Sequence, residues 1–235
     1  LKKYYLILSM IRTNWSHMNG KKRKHNDQEP DIVALLNTLT GGKAEVPSGL
    51  GLGNNNENKL YSRNNHIYFQ DEINFDTASA LIKMIDETAT DLKFMQKEFD
   101  LTEPPSIKLH LTSGGGIVHS AFMIIDAMEA CEVPVDTIIN GFGASSCTLI
   151  SIHGARRYIS KNAVMLIHQC SSGSWGTEAE QLDNFANLAQ MSEKIKQMYA
   201  DHTTMTKAQL KEILKHDLDW NADKALKTGL VDEIL

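Results

Sequence analysis

The stretch Ile139-Asn140-Gly141-Phe142-Gly143-Ala144-Ser145-Ser146-Cys147-Thr148-Leu149-Ile150 constrains the chain more than any other. Val133 to Ile139, with Pro134 near its start, is β-branched and apolar and reads as a strand. Two glycines and an alanine then allow tight backbone packing, and Cys147 to Ile152 resumes as a small, apolar helix. Strand, sharp turn and helix in that order put a serine at a corner. Its Oγ stands clear of the sheet, beside the free N–H groups of the helix's first turn. Acyl transfer needs such a hydroxyl next to an anion-stabilising site. A serine there can equally serve as an ordinary helix N-cap, so the corner alone leaves both readings open.

A second glycine cluster lies upstream. Ile107 to Leu111 alternates as a strand, and Thr112-Ser113-Gly114-Gly115-Gly116 ends it before a helical pattern at Ile117, Ala121, Ile124, Ile125 and Met128. Strand, glycine turn and helix form a βαβ unit. The glycines let the backbone approach a substrate closely and offer N–H donors at a helix start, which suits an oxyanion hole or, more plainly, a tight βα turn. Downstream, Ala163 to Gln169 reads as a buried strand that delivers His168 at its end, a place where a structural histidine is also common. Ser145 and Ser146 compete as nucleophile; Cys147 lies within the small apolar face and reads as a buried thiol.

With 235 residues, 42% of them hydrophobic, the chain can bury one good core and carry a tail. A net charge of −5 gives no general attraction to nucleic acid or anionic membrane, and no apolar run reaches the length of a membrane span. Neither is an expected partner. Three cysteines without a C-x-x-C spacing suggest neither a disulfide framework nor a zinc site and fit a reducing, cytoplasmic compartment. Residues 1–59 read as an extension with little structure, with a basic run at Lys21 to His25, a short helical pattern from Asp31 to Leu39 and a Gly- and Asn-rich linker. Residues 1–17 are expected to reflect start-site assignment, since the chain opens on Leu1 and Met18 follows. The folded domain is expected over 60–235. Asp76 is expected to cap a helix with Ala78, Ala80, Leu81, Met84 and Ile85 on one face, continuing past Phe94 and Met95. From Glu178 to Asp201 apolar residues recur at Leu182, Phe185, Leu188, Met191, Ile195 and Met198. These 24 residues (201 − 178 + 1) would span about 36 Å and overhang a domain of this size. Thr206 is expected to cap a helix through Ile213.

Gly141 to Gly154 resembles the nucleophile segment of the Clp protease proteolytic subunit, ClpP, a self-compartmentalising serine peptidase. Leu60-Tyr61-Ser62-Arg63 with His66 to Phe69, and the Met165-x-Ile167-His168-Gln169 run, are similar to further segments of that family, and the likeness covers roughly residues 60–235. It implies an α/β, crotonase-like fold of βαβ units with a parallel-rich sheet and a protruding handle helix at 178–201. Aligning the family's two glycines on Gly141 and Gly154 implies Ser145 as nucleophile. The interval 168 − 145 = 23 matches the family's base, His168. Counting back from the Gly229-Leu230-Val231-Asp232 ending favours Asp217 (217 − 168 = 49) over Asp219 as the orienting acid. The family also implies an oxyanion hole from the N–H groups of Gly116, with Gly115, and of Ser146. Gly114 and Cys170 stand where the family has prolines. Ser171 to Thr177 is similar to the loop and strand that line the substrate groove and join two rings.

The resemblance further implies heptameric rings stacked into a tetradecamer, unfolded polypeptide as substrate, and an AAA+ unfoldase of the ClpX or ClpA type that uses the ATP. No cofactor or metal is expected in this chain. A crotonase-type acyl-CoA enzyme would need no serine nucleophile, and a signal-peptide peptidase relative would want a lysine base that is not placed here. The alternatives kept open are a silent or structural ring subunit and a viral peptidase of the capsid-maturation type.

Overall fold

The computed structural model describes residues 59–235; the expectations for the N-terminal extension and its start lie, apart from Lys59, outside the described residues. The domain opens with a hairpin of β1 (Leu60–Arg63) and β2 (His66–Phe69), antiparallel across Asn64-Asn65, with Asn64 at φ 57°. Asparagine tolerates that left-handed turn conformation well. Helix α1 (Phe75–Glu98) follows, then β3 (Ile107–Ser113), α2 (Val118–Ala130) and β4 (Val135–Ala144). Next come α3 (Ser146–Ile152), β5 (Arg157–Ile159), β6 (Val164–Leu166), α4 (Glu178–His202) and α5 (Lys207–Ile213). The chain ends with β7 (Asp219–Asn221), α6 (Ala222–Lys227) and β8 (Glu233–Ile234). The result is the α/β arrangement expected, a mixed and largely parallel sheet flanked by helices.

The sheet runs β1-β2-β3-β4-β5-β8, with β6 joined to β4 and β7 to β6. The pairs β2/β3, β3/β4, β4/β5, β4/β6 and β5/β8 are parallel. Strand β3 shows why the residues sort as they do. Ile107, Leu109 and Leu111 are fully buried in the core, while Lys108, His110 and Thr112 face the other way. Against the apolar side lie Ala78, Leu81, Ile85, Ala89 and Leu92 of α1 and Ala121, Ile124, Ile125 and Met128 of α2.

Four local expectations need correction. The N-cap of α1 is Asn74, not Asp76: Asn74 accepts from the Thr77 N–H and Thr77 Oγ1 accepts from the Asn74 N–H, a reciprocal capping box. Ala80 is exposed rather than on the packed face. Strand β4 does not end at Ile139 but runs to Ala144, because two partners share one edge: β5 pairs with Thr137–Ile139 and β6 with Phe142–Ala144. Glycine makes that passage possible. A Cβ on Gly143 would stand 2.7 Å from Ile139 Cδ1, and Gly141 takes φ 66° where the pairing changes partner. Finally, Ser171 to Thr177 forms no strand with any described residue; extended backbone becomes a strand only where a neighbour supplies ladder hydrogen bonds.

Helix α4 buries only Ile195 and Tyr199 fully, while Leu182 and Phe185 are 64% and 73% exposed. Its N-terminal part therefore overhangs the domain, as its length implied. Thr177 and Glu180 close a capping box there, and Thr206 and Gln209 do the same for α5.

Candidate active site

The corner after β4 sets Ser145 at φ 56° and ψ −129°. A non-glycine residue in that region costs on the order of 1–3 kcal/mol and persists only where its surroundings hold it. Here they do. The Ser145 N–H donates to Leu166 O of β6 at 2.9 Å, and the Ser145 carbonyl accepts from the Thr148 N–H at 3.0 Å and from Thr148 Oγ1 at 2.6 Å. Ser145 occupies the N-cap position of α3, yet its side chain caps nothing. Its Oγ lies 2.9 Å from His168 Nε2 instead, which removes the plain N-cap reading of the serine.

His168 sits just past β6, held by the Gln169 N–H donating to Leu214 O at 2.7 Å. Its Nδ1 is 2.8 Å from Asp217 Oδ1. An ionised carboxylate only accepts, so Nδ1 carries the proton, Nε2 is the acceptor and Ser145 Oγ donates to it. Asp217 is 74% exposed, so water screens its attraction to an imidazolium. Asp219 lies in β7 opposite Leu166, and His216 is exposed. All seven residues of α3 are buried. Burial pushes the Cys147 thiol up to about 12, so it is a packed, protonated side chain and no rival nucleophile.

The glycine loop meets this corner directly. A Cβ on Gly115 would stand 2.7 Å from Ser145 Cβ and 3.0 Å from Ser146 N. The loop is laced to the segment before α1: the Ile73 N–H donates to Gly115 O at 2.9 Å and the Ile117 N–H to Ile73 O at 2.7 Å. The Gly115 N–H is already used, donating to Ser113 Oγ at 3.1 Å, while Ser113 Oγ donates to Asp71 O at 2.6 Å. That leaves the N–H groups of Gly116 and Ser146 without an internal acceptor among the described residues. Ser146 contributes more than backbone, since its Oγ donates to Gly116 O at 3.2 Å and joins corner to loop.

A strained serine hydrogen-bonded to a histidine, the histidine to a carboxylate, and two free N–H groups at the same corner make a serine hydrolase arrangement in the order Ser, His, Asp. The sequence model of the Clp protease family matches residues 55–235. The chain belongs to the Clp protease family. Family membership supports a peptidase of this type in general. Gly114 has open space around it, with nothing within 4 Å of an added Cβ, so replacing the family's proline there costs no packing.

Sequence reasoning overlooked three hydroxyl groups around this site. Ser113 was visible beside the glycines, and its position two residues before Gly115 could have suggested a local side-chain to backbone turn. Thr148 lay within the corner segment and read only as a small helix residue. Tyr199, whose OH is 2.6 Å from Thr148 Oγ1 across 51 positions of sequence, left no local signal. Among the described residues, no group of three or more His, Cys, Asp or Glu could hold a metal ion, and no helix is long and apolar enough to cross a membrane.

Proposed function

We propose that this chain is the peptidase subunit of a Clp complex and cleaves unfolded polypeptide by acylation of Ser145. The observation that carries the reading is the unbroken chain of contacts from Ser145 Oγ through His168 to Asp217, 2.9 and 2.8 Å. His168 Nε2 accepts the Ser145 proton as Oγ attacks the scissile carbonyl, then gives it to the departing amine. The carboxylate of Asp217 holds the Nδ1–H tautomer and stabilises the imidazolium. Charge developing on the carbonyl oxygen is met by the Gly116 and Ser146 N–H groups. Water activated by the same histidine then releases the acyl group. Nothing in this sequence of steps calls for a metal or cofactor in the chain.

Assembly into stacked heptameric rings is part of the proposal. It draws support from the overhang of α4 and from the exposure of Trp175, at 98%, and of Leu182 and Phe185, large apolar side chains left open to solvent. An AAA+ unfoldase of the ClpX or ClpA type would supply unfolded substrate and consume the ATP. Three free cysteines, two of them accessible, fit a cytoplasmic setting.

The test is labelling of the purified chain with a fluorophosphonate probe, alongside Ser145→Ala, His168→Ala, Asp217→Asn and Asp219→Asn, with native mass measured on each. Expected are labelling that needs Ser145 and His168, a large loss in Asp217→Asn, little change in Asp219→Asn, and a particle of fourteen chains by the family's assembly. A folded ring that does not label would favour the structural-subunit alternative, and labelling that survives Ser145→Ala would move the nucleophile to Ser146.

A further inference from the structure

Two buried hydroxyl groups end on the backbone of the nucleophile. Thr148 Oγ1, in the first turn of α3, contacts both the Ser145 carbonyl and the Tyr199 OH at 2.6 Å. A threonine hydroxyl has one proton, and a carbonyl can only accept. Thr148 therefore donates to Ser145 O, and Tyr199 must be the donor to Thr148. The order is fixed: Tyr199 O–H to Thr148 Oγ1, Thr148 O–H to Ser145 C=O. Burial raises the Tyr199 phenol above its ordinary value, which keeps it a donor at any working pH.

A bland account would have these groups only satisfy each other. Two features speak against it. Thr148 Oγ1 brings a second donor to a carbonyl that the Thr148 N–H already occupies at 3.0 Å, so both donors of one residue converge on Ser145 O. And Tyr199, 1% exposed, has no hydroxyl partner besides Thr148 among the described residues; a phenylalanine would fill the same space without a polar atom to satisfy. The doubled bond falls on the carbonyl of the one residue at this corner with positive φ other than glycine, Ser145 at 56°. Donors in series also strengthen one another, since accepting from Tyr199 makes the Thr148 hydroxyl a better donor.

We propose that Tyr199 and Thr148 form a positioning relay that holds the Ser145 carbonyl, and through it the strained backbone that aims Ser145 Oγ at His168. The inference rests on the reading of Ser145 as nucleophile. Neither residue touches substrate; both act through Ser145. Because Tyr199 belongs to α4, the relay also ties the aim of the serine to the seating of the overhanging helix on α3.

The experiment compares Thr148→Val, Thr148→Ser, Tyr199→Phe and the Val/Phe double variant in the full chain. The readouts are the second-order rate of fluorophosphonate labelling, kcat and KM on a short fluorogenic peptide, the melting temperature, and amide hydrogen exchange over 145–149. Valine keeps the shape of threonine and removes the hydroxyl, whereas serine restores it. Expected are a roughly tenfold fall in labelling rate and kcat for Thr148→Val with KM within twofold, a fall of about threefold for Tyr199→Phe, and near wild-type rates for Thr148→Ser. The double variant should be no slower than Thr148→Val, since Tyr199 acts through Thr148. Amide exchange at 145–149 should quicken about tenfold in Thr148→Val and not in Thr148→Ser. A lowered melting temperature with unchanged labelling and exchange would mean a merely structural role and overturn the relay, as would equal losses in the Val and Ser variants. If the wild type itself fails to label at Ser145, the peptidase reading falls, and the exchange comparison still decides whether the relay holds the corner.

Discussion

Replacing Gly115 by alanine strikes the point where the glycine loop meets the serine corner. An added Cβ would stand 2.7 Å from Ala144 O and 2.7 Å from Ser145 Cβ, against 3.4 Å for the onset of ordinary contact, so something must give by about 3.4 − 2.7 = 0.7 Å. The neighbours are backbone and the Cβ of Ser145, not a flexible side-chain end. Gly115 also takes φ 93°, which adds conformational strain of about 1–2 kcal/mol for an L side chain. With the contact included, a destabilisation of about 2–3 kcal/mol is expected, which lowers the melting temperature by roughly 5–10 °C for a domain of this size. The larger effect falls on rate. A displacement near 1 Å at a reacting group costs about 10²-fold, so fluorophosphonate labelling should slow by about two orders of magnitude at temperatures where the variant is folded. Gly114→Ala is the matched control, with open space around the new Cβ, and should label within about twofold of wild type. A Gly115→Ala protein that labels within threefold of wild type, or a Gly114→Ala protein that falls as far, would refute the reasoning.

Two further outcomes follow from groups away from the corner. On the sheet face opposite the core, Ser160 Oγ donates to Asn140 Oδ1, Asn140 Nδ2 lies 2.8 Å from His110 Nδ1, and His110 Nε2 lies 2.8 Å from His66 Nδ1. With Asn140 as donor, His110 is neutral, and burial followed by the charge of His66 lowers its pKa to about 4. Above pH 6.5 neither folded nor unfolded chain protonates it; below, the unfolded chain takes up a proton that the folded chain refuses, so stability falls between about pH 6.5 and 4. The full shift would be worth about 3 kcal/mol, and partial exposure reduces this to about 2 kcal/mol. Urea unfolding at pH 7.5 and 4.5 measures it, and stability that stays level or rises on acidification would contradict the account. Iodoacetamide at pH 8 should modify Cys131 and Cys170 in the native protein and spare Cys147, with all three modified in urea; native modification of Cys147 at the rate of Cys170 would show that its thiol is not packed as described.

Much of this domain is legible in short stretches of sequence because short-range rules write them. The alternation of Ile107, Leu109 and Leu111 marks the buried side of β3, and the threonines at 177 and 206 announce helix starts through residues three positions on. The glycine clusters and the serine corner are local too, since tight backbone approach admits no Cβ. Even the length of α4 implied an overhang. Tertiary structure alone decided which groups close on one another: that β4 continues to Ala144 because β6 takes over from β5, that Ser113 claims the Gly115 N–H, and that Ser146 Oγ ties corner to loop. Asp217 rather than Asp219 came from counting against a family ending, and no local pattern separates the two; in the fold Asp219 is committed to the β7 ladder while Asp217 stands two residues before it, at His168. Tyr199 is the extreme case, one more apolar-spaced residue in a long helix until packing sets its hydroxyl on Thr148. Periodicity and turn chemistry act over a few residues and are carried by the chain itself, whereas a hydrogen bond between residues 51 positions apart exists only where the packed core brings both ends together.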